Sequence, residues 1–290
     1  MKARLRQILT ALHLAGLYTL WHRLLGGDPR RLRRRVRVRR FNRVAGADEI
    51  VLRPGLRLKI DPSSRQPFEH FCFRSLEMSQ EFDAFVREMG ACRRFLDVGA
   101  CHGIFALAFA TGRPDALALA LDPSPVACRV LALNVERNGL QNVISRQVAA
   151  GGAPGRLRMR RVWHHLEAIA DQEDAGANED GEIVDVPVET LDALCAGLGF
   201  APDLMKLDVE GYELAVLTGA RAVLGEHRPR LFLEVHPERL RELGGSVEEL
   251  VGLLEELGYR FLSLSGAPSS AREVARERSV SRLLCVPAQG

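Results

Sequence analysis

A chain of 290 residues, 47% hydrophobic and 27% charged, has material for a full core and is globular rather than disordered. Its formal net charge of +3 is too small to imply a nucleic-acid partner by itself. Cysteines 72, 92, 101, 128, 195 and 285 form no C-x-x-C pair, which argues against a zinc site and for a reducing, cytoplasmic compartment.

Residues 1–26 carry Leu5, Ile8, Leu9, Leu12, Leu17, Leu20, Trp21 and Leu24 in a helical pattern, with Lys2, Arg4 and Arg6 at its start. His13, His22 and Arg23 interrupt it, so the run of about 18 apolar residues that a membrane span needs is missing. No convincing small-x-small cleavage site follows. A basic run comes next, from Arg30 and Arg31 through Arg33, Arg34, Arg35, Arg37, Arg39, Arg40 and Arg43. Such a basic amphipathic start fits peripheral contact with an anionic membrane surface. The plainer reading is a helix packed on the domain with a solvated basic face. No aromatic platform accompanies the arginines, so nucleic acid is not expected as a partner. Residues 1–45 are read as an extension and 46–290 as one α/β domain.

Residues 49–61 read as a hairpin turning at Pro54-Gly55. A helical pattern follows over about 75–89, with Glu77 and Glu81 on what reads as a solvated face. Strands and helices then alternate: strand 94–98 and helix 103–111, strand 117–121 and helix 124–138, strand 143–148. Residues 156–160 and 183–186 are able to pair as an added hairpin around an acidic loop, 167–182. Strand 203–207 with helix 213–224, strand 230–235, helix 246–257 and strands 259–264 and 281–286 complete the pattern. Alternating βα units imply a parallel sheet with ligands bound beyond the carboxyl ends of its strands.

The first strand ends in Asp97-Val98-Gly99-Ala100-Cys101-His102-Gly103. Glycines 99 and 103 would let a ligand approach the backbone, and the helix N-terminus would face it. The spacing is G-x-x-x-G rather than the G-x-G-x-x-G of dinucleotide sites. Asp97 would repel a pyrophosphate and suit a cation such as the amino-acid end of S-adenosylmethionine. A dinucleotide site and a ligand-free turn remain the alternatives. The second strand ends in Asp122-Pro123-Ser124-Pro125, and 122 − 97 = 25 residues is about one βαβ step. An acid there accepts ribose hydroxyls or caps the following helix.

Further on stands Lys206-Leu207-Asp208-Val209-Glu210-Gly211-Tyr212-Glu213, preceded by Thr190-Leu191-Asp192 and followed by Leu233-Glu234-Val235-His236-Pro237. With the glycine loop and the acid-Pro-Ser-Pro, this combination resembles the FkbM-type S-adenosylmethionine-dependent methyltransferases, over about Glu77 to Leu264. The resemblance implies a class I methyltransferase fold, a Rossmann-like, mostly parallel seven-stranded sheet with its last strand antiparallel and helices on both faces. It implies cofactor contacts from Asp97, Gly99, Ala100, Cys101, Gly103, Asp122, Pro123 and Asp208. Cys101 stands where the family usually has Asn. Family members also place a glutamate before the first core strand, which makes Glu77 and Glu81 candidates for a cofactor or substrate contact. O-methylation of a sugar-type or polyketide-type hydroxyl, on a small molecule or glycan, is the implied reaction.

Methyl transfer from a sulfonium needs an acceptor held in line and relieved of its proton. Asp208, Glu210, Glu234 and His236 lie at the ends of two neighbouring strands, and His236 titrates near the working pH as a candidate base. Lys206 shares a strand face with Asp208 and could orient it. Glu213 reads as first-turn dipole complementation. Asp208, Glu210, Glu234 and His236 are also hard ligands, but their spacing is not diagnostic of a metal, and none is assigned. The sequence has neither Asn-Pro-Pro-aromatic nor Pro-Cys, which moves weight from nitrogen and cytosine-C5 acceptors to a hydroxyl. Methylation of a protein or lipid headgroup, and a binding protein that kept the fold without turnover, stand as alternatives.

Overall fold

Short β-branched and leucine-rich runs, each closed by an acid or a glycine, fold as strand tips in the computed structural model, which describes residues 48–162, 165–168 and 182–288. The chain divides into two compact units, 1–58 and 59–290. In the first, β1 (Glu49–Arg53) and β2 (Leu56–Lys59) form the expected hairpin. Gly55 takes φ +84° at its turn, a conformation open to glycine. The extension of residues 1–45 lies outside the described residues. Among the described residues no helix is long and apolar enough to cross a membrane.

The second unit begins with α1 (Arg65–Glu69) and α2 (Leu76–Glu88). Ser75 caps α2 by accepting from the Met78 N–H at 3.3 Å. Then come β3 (Arg94–Val98), α3 (Ile104–Gly112), β4 (Leu117–Asp122), α4 (Pro125–Arg137) and β5 (Val143–Gln147). After an inserted small sheet follow α5 (Leu191–Leu198), β10 (Leu204–Leu207), α6 (Glu213–Thr218) and β11 (Arg230–Val235). The unit ends with α7 (Pro237–Glu242), α8 (Val247–Glu256), β12 (Tyr259–Ser263), β13 (Pro268–Ser269), α9 (Ala271–Ala275) and β14 (Ser281–Pro287). The main sheet has the order β13-β12-β14-β11-β10-β3-β4-β5. β3, β4, β5, β10 and β11 pair in parallel, and β14 runs antiparallel to both β11 and β12. The seven implied strands are present, with two-residue β13 added at one edge.

The insertion holds β6 (Ala149–Ala150), β7 (Gly155–Val162), β8 (His165–Ala168) and β9 (Ile183–Glu189), ordered β6-β9-β7-β8. β7 and β9 are the added hairpin the sequence suggested. β8 was not expected: residues 165–168 fold back on β7 where an acidic loop was to begin. Residues 169–181, the rest of that loop, lie outside the described residues. Leu157, Met159, Leu166, Val186 and Val188 close a small core of their own.

Strand periodicity sorts the main sheet into two faces. Leu96, Val98, Met205, Leu207, Leu231 and Leu233 point into an aliphatic core with α5, α6 and α8. The other face is aromatic. Phe85 of α2 stacks on Phe95 and Phe105, each at 4.9 Å between ring centres, and on Phe232 at 5.9 Å. Two residues toward the tips, this face turns charged, because Asp97 follows Phe95, Lys206 follows Leu204 and Glu234 follows Phe232. Phe85→Ala should therefore lower stability by about 3–5 kcal/mol in urea unfolding; a loss under about 1 kcal/mol would show that α2 is not part of the core.

Candidate cofactor and catalytic site

The loop after β3 is built by its own contacts. Gly99 has φ +80°, and a Cβ there would overlap the carbonyl oxygen of Asp208. Gly103 has φ +84°, and its Cβ would run into Leu131. Both glycines thus make room for protein atoms, not first of all for a ligand. The N–H groups of Gly99 and Ala100 both donate to the Leu121 carbonyl, at 2.9 and 3.0 Å. Cys101 N–H donates to Asp122 Oδ2 at 2.7 Å. Cys101 sits at φ +48°, where asparagine is tolerated better than most side chains.

Beyond the loop lies a cavity of about 780 Å³, counting the part open to solvent. Gly99, Cys101, Asp122, Pro123, Asp208 and Glu210 line it on the main-sheet side. Leu157, Met159 and Leu166 of the small sheet line it too. These three were missed from sequence, although the alternation of Leu157 and Met159 with arginines was their signal. Asp122 is buried, and its Oδ1 accepts from the Ser124 N–H at 2.8 Å. Ser124 itself caps α4, so the acid faces the cavity while its neighbour does the capping.

The structure does not bring Asp97, Ala100 or Gly103 to that wall. Asp97 lies behind it, 1% exposed. Its Oδ2 accepts from the Ala106 N–H at 3.1 Å, and its Oδ1 has no hydrogen-bond partner. Burial pushes its pKa up to about 7, against the pull of Lys206.

Lys206, Asp208, Glu234, His236 and Arg282 meet at the tips of β10, β11 and β14. Lys206 is 2% exposed. Its Nζ is 3.0 Å from Asp208 Oδ2, 3.8 Å from Glu81 Oε1 and 4.9 Å from the Phe105 ring centre. Burial opposes its charge, but Asp208, Glu81, Glu234 and Asp97 overcome this and hold its pKa above the ordinary lysine value. Burial would likewise raise Asp208, yet Lys206 and His236 hold it below the usual carboxylate range. Arg282 pairs with Glu234 and lies 3.4 Å from Glu81 Oε2. Burial pushes Glu234 up to about 8, with Asp208 adding to the shift.

Glu81 corrects a sequence expectation: it is fully buried rather than on a solvated helix face. Glu77 is the exposed one, with 73% side-chain exposure. Glu213, read as dipole complementation, is also fully buried. Its Oε1 accepts from the Gly211 N–H at 2.8 Å and stands 2.8 Å from His236 Nδ1. His236 Nε2 lies 3.3 Å from Glu210 Oε2 and 3.7 Å from Glu234 Oε1. Burial works against charge on His236, but Glu213, Glu210 and Asp208 outweigh it and push its pKa up to about 9. At neutral pH His236 is therefore an imidazolium, not the half-neutral group expected from sequence.

Asp208, Glu234 and His236 are near enough to share a divalent ion, with ligand atoms within 4.8 Å of one another. Each already has an ionic partner, in Lys206, Arg282 and Glu213 respectively. An ion there would have to compete with a buried lysine and arginine.

A family model described as the methyltransferase FkbM domain matches residues 97–261. No curated protein matches the chain. Among solved structures, methyltransferase FkbM from Methylobacillus flagellatus is similar at 18% identity and TM-score 0.43, over 67% of this chain. This chain spans 43% of that protein's length. A precorrin-6y methyltransferase from Geobacter metallireducens is similar at 11% identity and TM-score 0.40, over 74% of this chain and 90% of the other. Fibrillarin, a pre-rRNA processing protein of Methanococcus jannaschii, is similar at 10% identity and TM-score 0.40, over 70% and 69%.

Removing one partner from a buried ion pair typically costs about 3–5 kcal/mol. Lys206→Met should lose stability on that scale at neutral pH in urea unfolding. The loss should shrink as pH falls and the stranded carboxylates take protons. A variant as stable as the native chain at pH 8 would show that Lys206 does not anchor the cluster.

Proposed function

The chain belongs to the FkbM methyltransferase family, and from that premise we propose that it transfers a methyl group from S-adenosylmethionine to a hydroxyl of a small molecule or glycan. The observation that carries this reading is a mainly apolar cavity with acids at two places, Asp122 and the Asp208–Glu210 pair, and His236 beside the latter.

The cavity fits the cofactor's chemistry. Asp122 spends one lone pair of each oxygen on the N–H groups of Cys101 and Ser124, and a carboxylate oxygen has another to offer a ribose hydroxyl. Leu157, Met159 and Leu166 offer an apolar cover to a base. Asp208 and Glu210 put negative charge where a sulfonium would gain from it. A dinucleotide pyrophosphate would meet those same acids, and the N–H groups of Gly99 and Ala100 are already taken. When bound, S-adenosylmethionine supplies an electrophilic methyl group, so the protein's own work is positioning and proton removal.

His236 is our candidate for taking the proton. Glu213 fixes the ring through Nδ1, and Glu213 is itself held by the Gly211 N–H. Nε2 faces Glu210, which has 41% side-chain exposure. An acceptor hydroxyl arriving there would replace or share that contact. Glu210 has φ +52°, strain of the kind found where a loop is held for a site. Lys206 keeps Asp208 ionised, and Asp208 keeps a negative charge at the cavity wall.

Because the pKa of His236 is raised, its neutral form is scarce at pH 7 and increases as pH rises toward about 9. With methyl-labelled S-adenosylmethionine and a panel of hydroxylated small molecules and glycans, the rate should climb from pH 7, reach half its maximum near pH 9 and level only above that. His236→Gln should lower kcat by about 100-fold or more and leave the affinity for S-adenosylhomocysteine within about twofold. A flat pH profile, or a His236→Gln variant with native turnover, would remove His236 as the base. Absence of label in every hydroxylated acceptor, with label found in amines, would overturn the O-methylation reading.

A further inference from the structure

Three polar side chains are buried behind the glycine loop, and neither the proton nor the cavity wall uses them. Ser64 and Asn134 are 0% exposed, and His102, between Cys101 and Gly103, is 1% exposed. Asn134 of α4 is the hub. Its Nδ2 donates to Ser64 Oγ at 2.9 Å and to the His102 carbonyl at 3.1 Å. Its Oδ1 accepts from the Asp61 N–H at 2.6 Å. Ser64 Oγ lies 3.2 Å from His102 Nδ1. The hydroxyl accepts from Asn134, so its own proton is left for the ring nitrogen. Just past α4, Asn138 holds the N–H and the carbonyl of Lys59, at 2.9 and 2.6 Å. Buried polar groups joined in this way specify one arrangement of the segments that carry them. Lys59, Asp61 and Ser64 all precede residues 97–261, which the family model matches.

This network reaches the loop beside its strained residue. Cys101, at φ +48°, gives its N–H to Asp122 on the cavity side. The next residue sends its side chain the other way, to Ser64. A non-glycine residue persists at positive φ where its surroundings over-determine it. Here the loop is gripped from both sides, by Asp122 in front and by Ser64 and Asn134 behind.

We propose that His102 is a positioning residue for the cofactor, and that Ser64, held by Asn134, is the anchor it needs. Without that anchor the loop relaxes at Cys101, and Asp122 loses an N–H that orients its carboxylate. His102 does not line the cavity; it acts through Cys101 and Asp122. The segment before the matched domain thereby becomes part of what shapes the cofactor site. This rests on the cofactor reading of the cavity.

The test is calorimetric titration of full-chain variants with S-adenosylhomocysteine. Each is measured at a temperature where its unfolding curve is still on the native baseline, so that a loss of affinity is not a loss of folded protein. His102→Gln should bind about tenfold more weakly, the scale of one lost buried hydrogen bond. A glutamine amide reaches the place of Nε2, whereas an asparagine amide reaches the place of Nδ1. His102→Asn should therefore stay within about threefold of the native affinity. Ser64→Ala removes the same bond from its other end and should repeat the loss of about tenfold; it stands in if the His102 variants do not fold. The double variant Ser64→Ala/His102→Gln should lose little more than either single one, because both remove one interaction. Native affinity in His102→Gln or in Ser64→Ala would overturn the inference alone. So would equal losses in His102→Gln and His102→Asn, which would make the ring mere core filling. No binding by the native chain would overturn the cofactor reading and the inference with it.

Discussion

An ammonium group at 2% exposure needs partners, and Lys206 has them on three sides. Asp208 follows its own strand, Glu81 comes from α2, and the Phe105 ring comes from α3. Each partner belongs to a different element, so forming the lysine's environment requires those elements to be docked. The same cation keeps Asp208 ionised at the cavity wall and offsets some of the repulsion among the acids around it. Core and site share this one ion. The sheet face is aromatic where α2 and α3 pack and ionic two residues further on, and Lys206 marks the change.

The second constraint is backbone crowding between β3 and β10. Gly99 approaches the Asp208 carbonyl so closely that no side chain fits. The Asp208 N–H in turn donates to the Val98 carbonyl at 3.1 Å. The glycine loop after β3 and the loop after β10 are thereby locked together at Asp208. Positive φ at Cys101, Glu210 and Gly211 gathers around this crossing, while the regular parts of the strands carry none. Strain of about 1–3 kcal/mol at each of the two non-glycine residues, Cys101 and Glu210, is borne there by the packing of the sheet beneath.

Much of this was legible in the sequence. The strands at 94–98 and 230–235 stand where the apolar runs placed them, because each is short, buried on both faces and closed by a polar tip. The pairing of Lys206 with Asp208 followed from the two-residue period of a strand. The burial of Glu81 did not follow, since its helix carries the ordinary amphipathic pattern. What buries this glutamate is Lys206 and, from β14, Arg282, which lies 201 residues further along the chain (282 − 81). The state of His236 was misread for the same reason: a lone histidine after a strand suggests neutrality, and three surrounding carboxylates reverse it. Leu166 was invisible because β8 is a four-residue strand whose pairing depends on the insertion folding back on itself, whereas Leu157 and Met159 of β7 were signalled only by their alternation with arginines.

The cavity between the glycine loop and Asp208 is expected to hold a nucleoside carrying an amino acid rather than a dinucleotide. Side-by-side calorimetric titration of the native chain with S-adenosylhomocysteine and with NAD tests it most directly. The first should show saturable one-to-one binding, lost in Asp122→Ala, and the second none. Binding of NAD with no response to S-adenosylhomocysteine would contradict it.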